Sequence, residues 1–178
     1  TAAATSHMLN ALVSHMPYGL IKHLPQAGLI VPYYHMISDH PVPHVRHLYA
    51  HKDVRAFEGD LEFLLRHYTP ISLQELLTAL RCGRVPPKRS FLLTFDDGFR
   101  EMSDVVAPLL HAKGVPAAFF VTTAFLDNRT LCHQHTASVI ADRLPEISSP
   151  SLIAQIRSAL AAAGTENGDL AKAMVTVP

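Results

Sequence analysis

Phe-Leu-Leu-Thr-Phe-Asp-Asp-Gly, residues 91 to 98, is the stretch around which the rest of the chain is arranged. Its first five residues are apolar, aromatic or β-branched, which is typical of a buried strand. The strand ends in two adjacent carboxylates, Asp96 and Asp97, and Gly98 leads into a segment with helical periodicity. In parallel sheets and α/β barrels, ligands bind at the carboxyl ends of the strands. The stretch therefore predicts a site at this strand end.

Adjacent aspartates repel each other unless a cation or a shared proton offsets their charges. The pair therefore indicates a metal site with a base beside it. The alternative is a simple strand-to-helix turn in which Asp97 lies near a helix start and interacts with the helix dipole. Asp-Asp-Gly by itself leaves both interpretations open.

The residues before the central stretch predict one strand and two helices. Leu29–His35 is predicted to be the first strand, and Asp53–His67 is patterned as an amphipathic helix. Ser72–Glu75 has the pattern of a capping box, which starts a second helix that stops at Gly83. We expect the leucine and valine stripes of the helices to be core. Ser38–His51 is predicted to be a loop because of its prolines.

After Gly98, a helix is predicted over Met102–His111, with a kink or restart at Pro108. Gly114 is its expected C-cap, and Ala117–Thr122 is the next strand. Strand, helix and strand in this order predict parallel pairing.

The remainder of the chain is patterned as helix, without a further convincing strand. The helices are predicted over Leu131–Leu144, Ser151–Ala163 and Asp169–Met174. We therefore divide the chain into a lead-in (residues 1–28), the N-terminal part of an α/β domain (29–125) and a helical segment inserted in that domain (126–178). So few strands indicate an incomplete barrel.

Composition excludes several classes of protein. The 178 residues are 48% hydrophobic and 17% charged, which is enough for one core and one domain. The formal net charge of +0 gives no basic surface for nucleic acid. No apolar run is long enough to span a bilayer, and neither Thr1 nor Met8 opens a signal-peptide pattern. The sequence itself assigns no compartment.

The central stretch, together with Ala107–Leu110 and Gly114–Val121, resembles the polysaccharide deacetylase family, whose NodB-like domain has the signature Thr-Phe-Asp-Asp-Gly. The resemblance extends upstream to Ile30 and is weak after Asn128. It implies the N-terminal part of a distorted (β/α) barrel with parallel strands. It also implies an N-acetylated polysaccharide or glycoconjugate as substrate and an extracytoplasmic or cell-envelope setting.

The resemblance also implies residue roles and a metal. Asp96 corresponds to the family's general base and Asp97 to a ligand of a divalent metal, usually zinc. The family takes two further ligands from a His-[Ser/Thr]-x-x-His motif. Here His135–Val139 has the first histidine but ends in valine. We expect this match to be a chance likeness within the helical segment, which leaves the ligand set incomplete and predicts that residues 1–178 alone are inactive.

Other metal-ligating side chains are considered for the gap. His35 ends the first predicted strand and is expected at the rim of the same site. Cys132, His133 and His135 are ligand types, but a fourth partner is not visible. The histidines of the proline-broken loop are expected to be solvated.

Two further hypotheses compete with the hydrolase. One is a non-catalytic carbohydrate-binding or assembly module with a deacetylase-like fold. The other is a glycosyltransferase, which usually needs an Asp-x-Asp arrangement rather than adjacent aspartates. An incomplete barrel also leaves an open sheet edge and exposed apolar surface, which predicts a homo-oligomer.

Overall fold

The structure is a computed structural model that describes residues 28–128, 130, 132–146, 149–162 and 174. Strands β1 to β6 are Leu29–Ile30, Tyr33–Tyr34, Thr69–Pro70, Ser90–Phe91, Leu93–Phe95 and Ala117–Phe119. Helices α1 to α6 are Pro43–Arg46, Val54–His67, Leu73–Arg81, Ala107–Lys113, His133–Arg143 and Pro150–Ala162. The predicted lead-in lies outside the described residues, as does the predicted helix Asp169–Met174 except for Met174, which is helical.

A single parallel hydrogen-bond ladder joins the first predicted strand to the central one. The N–H groups of alternate residues from 90 to 96 donate to alternate carbonyls from 28 to 34 over distances of 3.0–3.1 Å. Pro32 lies in the middle of this ladder and has no N–H to donate to the Leu92 carbonyl. This missing donor explains why the predicted strand Leu29–His35 is divided into β1 and β2.

The opposite edge of the central strand pairs with two different strands. β3 pairs with β4, and β6 pairs with β5, all in parallel. β5, α4 and β6 therefore form the predicted parallel βαβ unit. The fold class is confirmed as α/β with parallel strands and a helical C-terminal segment, and the described strands do not close into a barrel.

The predicted helix signals around the sheet are confirmed. The Asp53 side chain accepts from the Ala56 N–H at the start of α2, and Ser72 and Glu75 form the capping box of α3. Before Pro108 the chain forms a π-helical turn, Met102–Val106, and α4 then starts with this proline in its first turn. The turn lets the helix restart where the proline has no N–H.

The core lies between the sheet, α2 and α4. Its fully or almost fully buried side chains come from all three elements: Phe57, Leu61, Phe91, Leu93, Phe95, Met102, Val106 and Leu110. The Phe95 ring stacks on Phe119 at a centroid distance of 5.1 Å. The strand that carries the aspartates is therefore packed against the core through Phe91, Leu93 and Phe95.

Two expectations about the surface are wrong. The leucine stripe of α3 is not core, because no residue of this helix is buried and Leu80 is 57% exposed. The region predicted to be a solvated loop contains α1, and its Val42 and Val45 are buried. Neither difference is visible in the sequence pattern, since both depend on which faces the neighbouring elements cover.

Helix α5 packs on α1. The Ser138 hydroxyl is fully buried; it donates to the Pro43 carbonyl at 2.7 Å and accepts from the His47 N–H at 3.2 Å. Arg46 also pairs with Asp142 at 2.9 Å. The helical segment is thus fastened to the region that follows the first strand. No helix among the described residues is long and apolar enough to cross a membrane.

Leu80→Lys is expected to change the free energy of unfolding by no more than about 0.5 kcal/mol, because an exposed leucine loses little contact area. Leu61→Ala in the buried face of α2 is the matched comparison and is expected to cost about 2–5 kcal/mol. Urea denaturation measures both, and a large loss for Leu80→Lys would contradict the exposed position of α3. If this surface drives the predicted oligomerisation, the lysine also reduces association in light scattering.

Candidate functional site

The two aspartates lie in a tight turn at the end of β5. The Asp96 N–H donates to the Tyr34 carbonyl at 3.0 Å, which ends the ladder, and the Gly98 N–H donates back to the Asp96 carbonyl at 2.9 Å. Asp97 and Gly98 both have left-handed backbones, with φ of +70° and +73°. A non-glycine residue in this region is uncommon, although aspartate adopts it more readily than most residues do. Asp97 therefore lies in the turn between β5 and the helical segment that begins at Arg100.

Gly98 is required for a steric reason as well. A Cβ atom at this position would lie 2.9 Å from Cγ1 of Val121, in the segment that follows β6. The glycine lets the turn approach the neighbouring chain closely. The close contact between Gly98 and Val121 therefore sets the direction of the chain at Asp97.

His35 lies beside Asp96. Its Nε2 is 3.8 Å from the nearer carboxylate oxygen of Asp96, and the two side chains are about one-third exposed. This separation is too long for a hydrogen bond but short enough for electrostatic interaction. The His35 ring also contacts Tyr49, with centroids 5.4 Å apart.

A cavity of about 470 Å³ opens next to Asp97. Its walls come from the first strand, from the residues after α1 and β6, and from the start of α5: His35, Leu48, Tyr49, Asp97, Thr122, Phe125, Cys132, Gln134 and His135. A second cavity of about 450 Å³ includes His44, Asp97, Phe99 and His135 in its walls. Asp97 and His135 therefore separate two cavities of a size usual for ligand sites.

His135 is the site residue that sequence reasoning set aside. It lies in α5, as the helical pattern predicted, but it is only 6% exposed and lines both cavities. Its ring meets Phe99 at 5.2 Å and His44 at 5.9 Å. Burial lowers the pKa of His135, and the negative charge of Asp97 acts in the opposite direction. One signal in the sequence pointed to this residue: Cys132 and His135 are three positions apart, so they were expected to share a helix face.

The expectation that the histidines of residues 38–51 are solvated is wrong for two of them. His44 is half-buried against Phe99, and burial lowers its pKa. His47 approaches Asp142 to 3.5 Å at the α1–α5 contact. By contrast, His40 is exposed.

Tyr49 lines the same cavity as His135. Burial raises the pKa of its phenol to about 12, and the charge of Asp97 contributes to this increase. The hydroxyl oxygen is buried and has no hydrogen-bond partner among the described residues. At neutral pH this side chain is therefore a protonated hydrogen-bond donor.

The metal expected from the sequence was compared with these side chains. Asp97, His35, Cys132 and His135 all line one cavity, but within the described ranges no group of three or more His, Cys, Asp or Glu side chains is arranged to hold a metal ion. A catalytic zinc normally takes three protein ligands. The described side chains thus do not fit a complete zinc centre, and zinc remains a prediction.

The fold and site define a parallel α/β protein with a carboxylate pair and histidines at one strand end. Comparison with known families shows that residues 83–166 match the model of polysaccharide deacetylases, which confirms the resemblance found in the sequence. Two curated relatives, the poly-β-1,6-N-acetyl-D-glucosamine N-deacetylases of Escherichia coli K12 and O157:H7, are 33% identical over 60 residues. The match spans 34% of this chain and 9% of each relative.

Two solved structures are similar to part of the chain. A de-N-acetylase from Aggregatibacter actinomycetemcomitans is 20% identical, with a TM-score of 0.48 over 65% of this chain and 52% of its own. The BpsB deacetylase domain from Bordetella bronchiseptica is 26% identical, with a TM-score of 0.36 over 49% of this chain and 40% of its own.

Gly98→Ala is expected to lower the free energy of unfolding by about 2 kcal/mol or more, because the new methyl group would clash with Val121 and φ is positive. Gly59→Ala is the matched control: it lies within α2 with open space around it and is expected to raise stability by about 0.5–1 kcal/mol. Urea denaturation compares the two variants. Equal effects would contradict the close approach at Gly98.

Stability is expected to fall as the pH drops from about 7 to 5. His44 and His135 have pKa values below the ordinary 6.5 in the folded protein, so the unfolded chain binds more protons below that pH. The contribution of these histidines is therefore present above 6.5 and is lost on acidification. His135→Phe removes one such group and is expected to flatten the pH dependence of urea denaturation relative to wild type. An unaltered slope in His135→Phe would contradict this account.

Proposed function

We propose that the protein is a polysaccharide deacetylase that hydrolyses the N-acetyl groups of an amino-sugar polymer. One observation carries the proposal: the Asp96–Gly98 turn presents two carboxylates at the end of the central strand, within the segment that matches the family. The two Escherichia coli relatives are N-deacetylases of poly-β-1,6-N-acetyl-D-glucosamine, which supports an N-acetylated glucosamine polymer as the substrate class.

Asp96 is the proposed general base. Its carboxylate is partly exposed, which allows a water molecule to reach it, and the neighbouring His35 stabilises its charge when protonated. As the water oxygen attacks the amide carbon, Asp96 accepts the proton of the water. The tetrahedral intermediate then breaks its carbon–nitrogen bond, the nitrogen takes up a proton, and acetate and a free amine are released.

Asp97 is the proposed metal ligand. This assignment depends on the family resemblance and on Asp97 lining the cavity, and the described residues do not form a complete ligand set for a metal. For the same reason we propose that residues 1–178 alone do not turn over substrate.

The second candidate is a carbohydrate-binding or assembly module that keeps the fold without the chemistry. The observation in its favour is again the lack of a three-ligand group among the described residues. The two candidates differ in a single outcome, the release of free amine from the polymer.

In the natural protein, Asp96→Asn and Asp97→Asn are each expected to reduce amine release from a β-1,6-linked N-acetylglucosamine oligosaccharide by about 10²-fold or more. Asp104→Asn is the control, since Asp104 lies on the exposed π-helical turn in an ion pair with Arg100. Fluorescent labelling of the new amines measures the rate.

Three results would count against the proposal or part of it. Wild-type rates in the Asp96 and Asp97 variants would remove the proposed roles. Oligosaccharide binding without amine release would favour the binding module. Turnover by residues 1–178 alone would show that this chain completes its own site, and calorimetric zinc titration of wild type and Asp97→Ala would then identify the metal.

A further inference from the structure

Two side chains that line the cavity beside Asp97 each have a buried polar atom without a hydrogen-bond partner among the described residues. These atoms are the hydroxyl oxygen of Tyr49 and Nδ1 of His135. Both side chains line the same cavity. Buried polar groups are nearly always hydrogen-bonded in native proteins, so two exceptions among the side chains that line one cavity indicate a ligand that supplies the missing partners.

The two side chains are held in place by one packed unit. Tyr49 follows α1, where its backbone N–H donates to the Val45 carbonyl and its side chain packs on the small cluster of Met36, Val42 and Val45. His135 lies in α5, and the buried Ser138 of the same helix is hydrogen-bonded to both ends of α1. The two atoms without partners are therefore held in place before a ligand binds, and binding does not have to order the side chains that carry them.

The chemistry of the wall favours an uncharged, hydroxyl-rich ligand. A protonated phenol both donates and accepts, and a neutral imidazole has one donor and one acceptor nitrogen. The carboxylate of Asp97 accepts hydrogen bonds and repels anions, while Gln134 adds an amide. Phe125 and Leu48 supply apolar surface. Sugar rings combine hydroxyl groups with apolar faces in the same way.

We propose that Tyr49 and His135 are the sugar-binding pair of this site, and that they hold one N-acetylated sugar residue of the polymer in the cavity next to Asp97. The choice of an N-acetylated sugar rests on the proposed function. The helical segment thereby supplies a substrate-binding wall rather than a part of the reaction chemistry. A binding role is also compatible with a protein that does not release amine.

The test measures binding and folding stability separately. A β-1,6-linked N-acetylglucosamine oligosaccharide is titrated calorimetrically into wild type, Tyr49→Phe and His135→Phe. Each variant keeps an aromatic ring and loses the atom without a partner, and each is expected to bind about tenfold more weakly. Tyr68→Phe removes the same hydroxyl at the end of α2, away from the cavity, and His133→Phe changes an exposed histidine of α5; both are expected to bind like wild type.

Thermal denaturation without sugar distinguishes binding from a structural role. The melting temperature of Tyr49→Phe is expected to equal or exceed that of wild type, because the variant removes a buried hydroxyl that has no partner. A structural hydroxyl would instead give a lower melting temperature. Tyr49→Phe decides the matter by itself if His135→Phe does not fold.

The outcomes are decisive in both directions. Weaker binding in Tyr49→Phe at an undiminished melting temperature supports the proposal. Wild-type affinity in this variant, or no saturable binding of the oligosaccharide by wild type, overturns it. Loss of amine release in the separate assay refutes the deacetylase without affecting this result, so the failure of either proposal is recognised independently.

Discussion

The close approach of Gly98 to Val121 is the constraint on which the site depends. The parallel ladder ends at the Asp96 N–H, and the chain then has to turn within the space left by the segment that follows β6. Only a residue without a side chain fits there, and two consecutive left-handed residues result. The buried side chains of the strand, Phe91, Leu93 and Phe95, hold this geometry in place. The orientation of Asp97 is consequently a property of the packed sheet.

A second constraint is the contact between α1 and α5. Ser138 satisfies one carbonyl and one N–H at the two ends of a helix of only four residues, which has few hydrogen bonds of its own. This contact brings residues about 90 positions apart in the chain to opposite sides of one cavity. Without it, Tyr49 and His135 would have no defined relation to Asp97. The helical segment, which the sequence resemblance hardly covers, is thus part of the site's architecture.

Whether a sequence-based expectation was confirmed depended on how far apart in the chain the interacting groups lie. Local signals were reliable: the capping box at Ser72, the restart at Pro108 and the left-handed C-cap at Gly114 each depend on backbone groups only a few residues away. Predictions that required knowledge of which surface is covered were wrong. The α3 leucines have the periodicity of a core helix, yet the described elements do not bury them. The histidines near α1 have the composition of a solvated loop, yet α5 partly covers two of them.

The sequence by itself determined the parallel α/β class, the approximate extents of the longer helices α2, α3, α5 and α6, and the position of the two aspartates at the end of a buried strand; it did not predict α1. These features follow from periodicity, capping and turn chemistry, all of which act within a few residues. The resemblance to polysaccharide deacetylases was likewise carried by contiguous motifs. Only the tertiary structure decided that His135 and Tyr49 share a cavity with Asp97, and that the metal-ligating side chains of the described residues form no group of three arranged to hold a metal ion. The physical reason is that these relations depend on packing between segments distant in the chain, which no local pattern encodes.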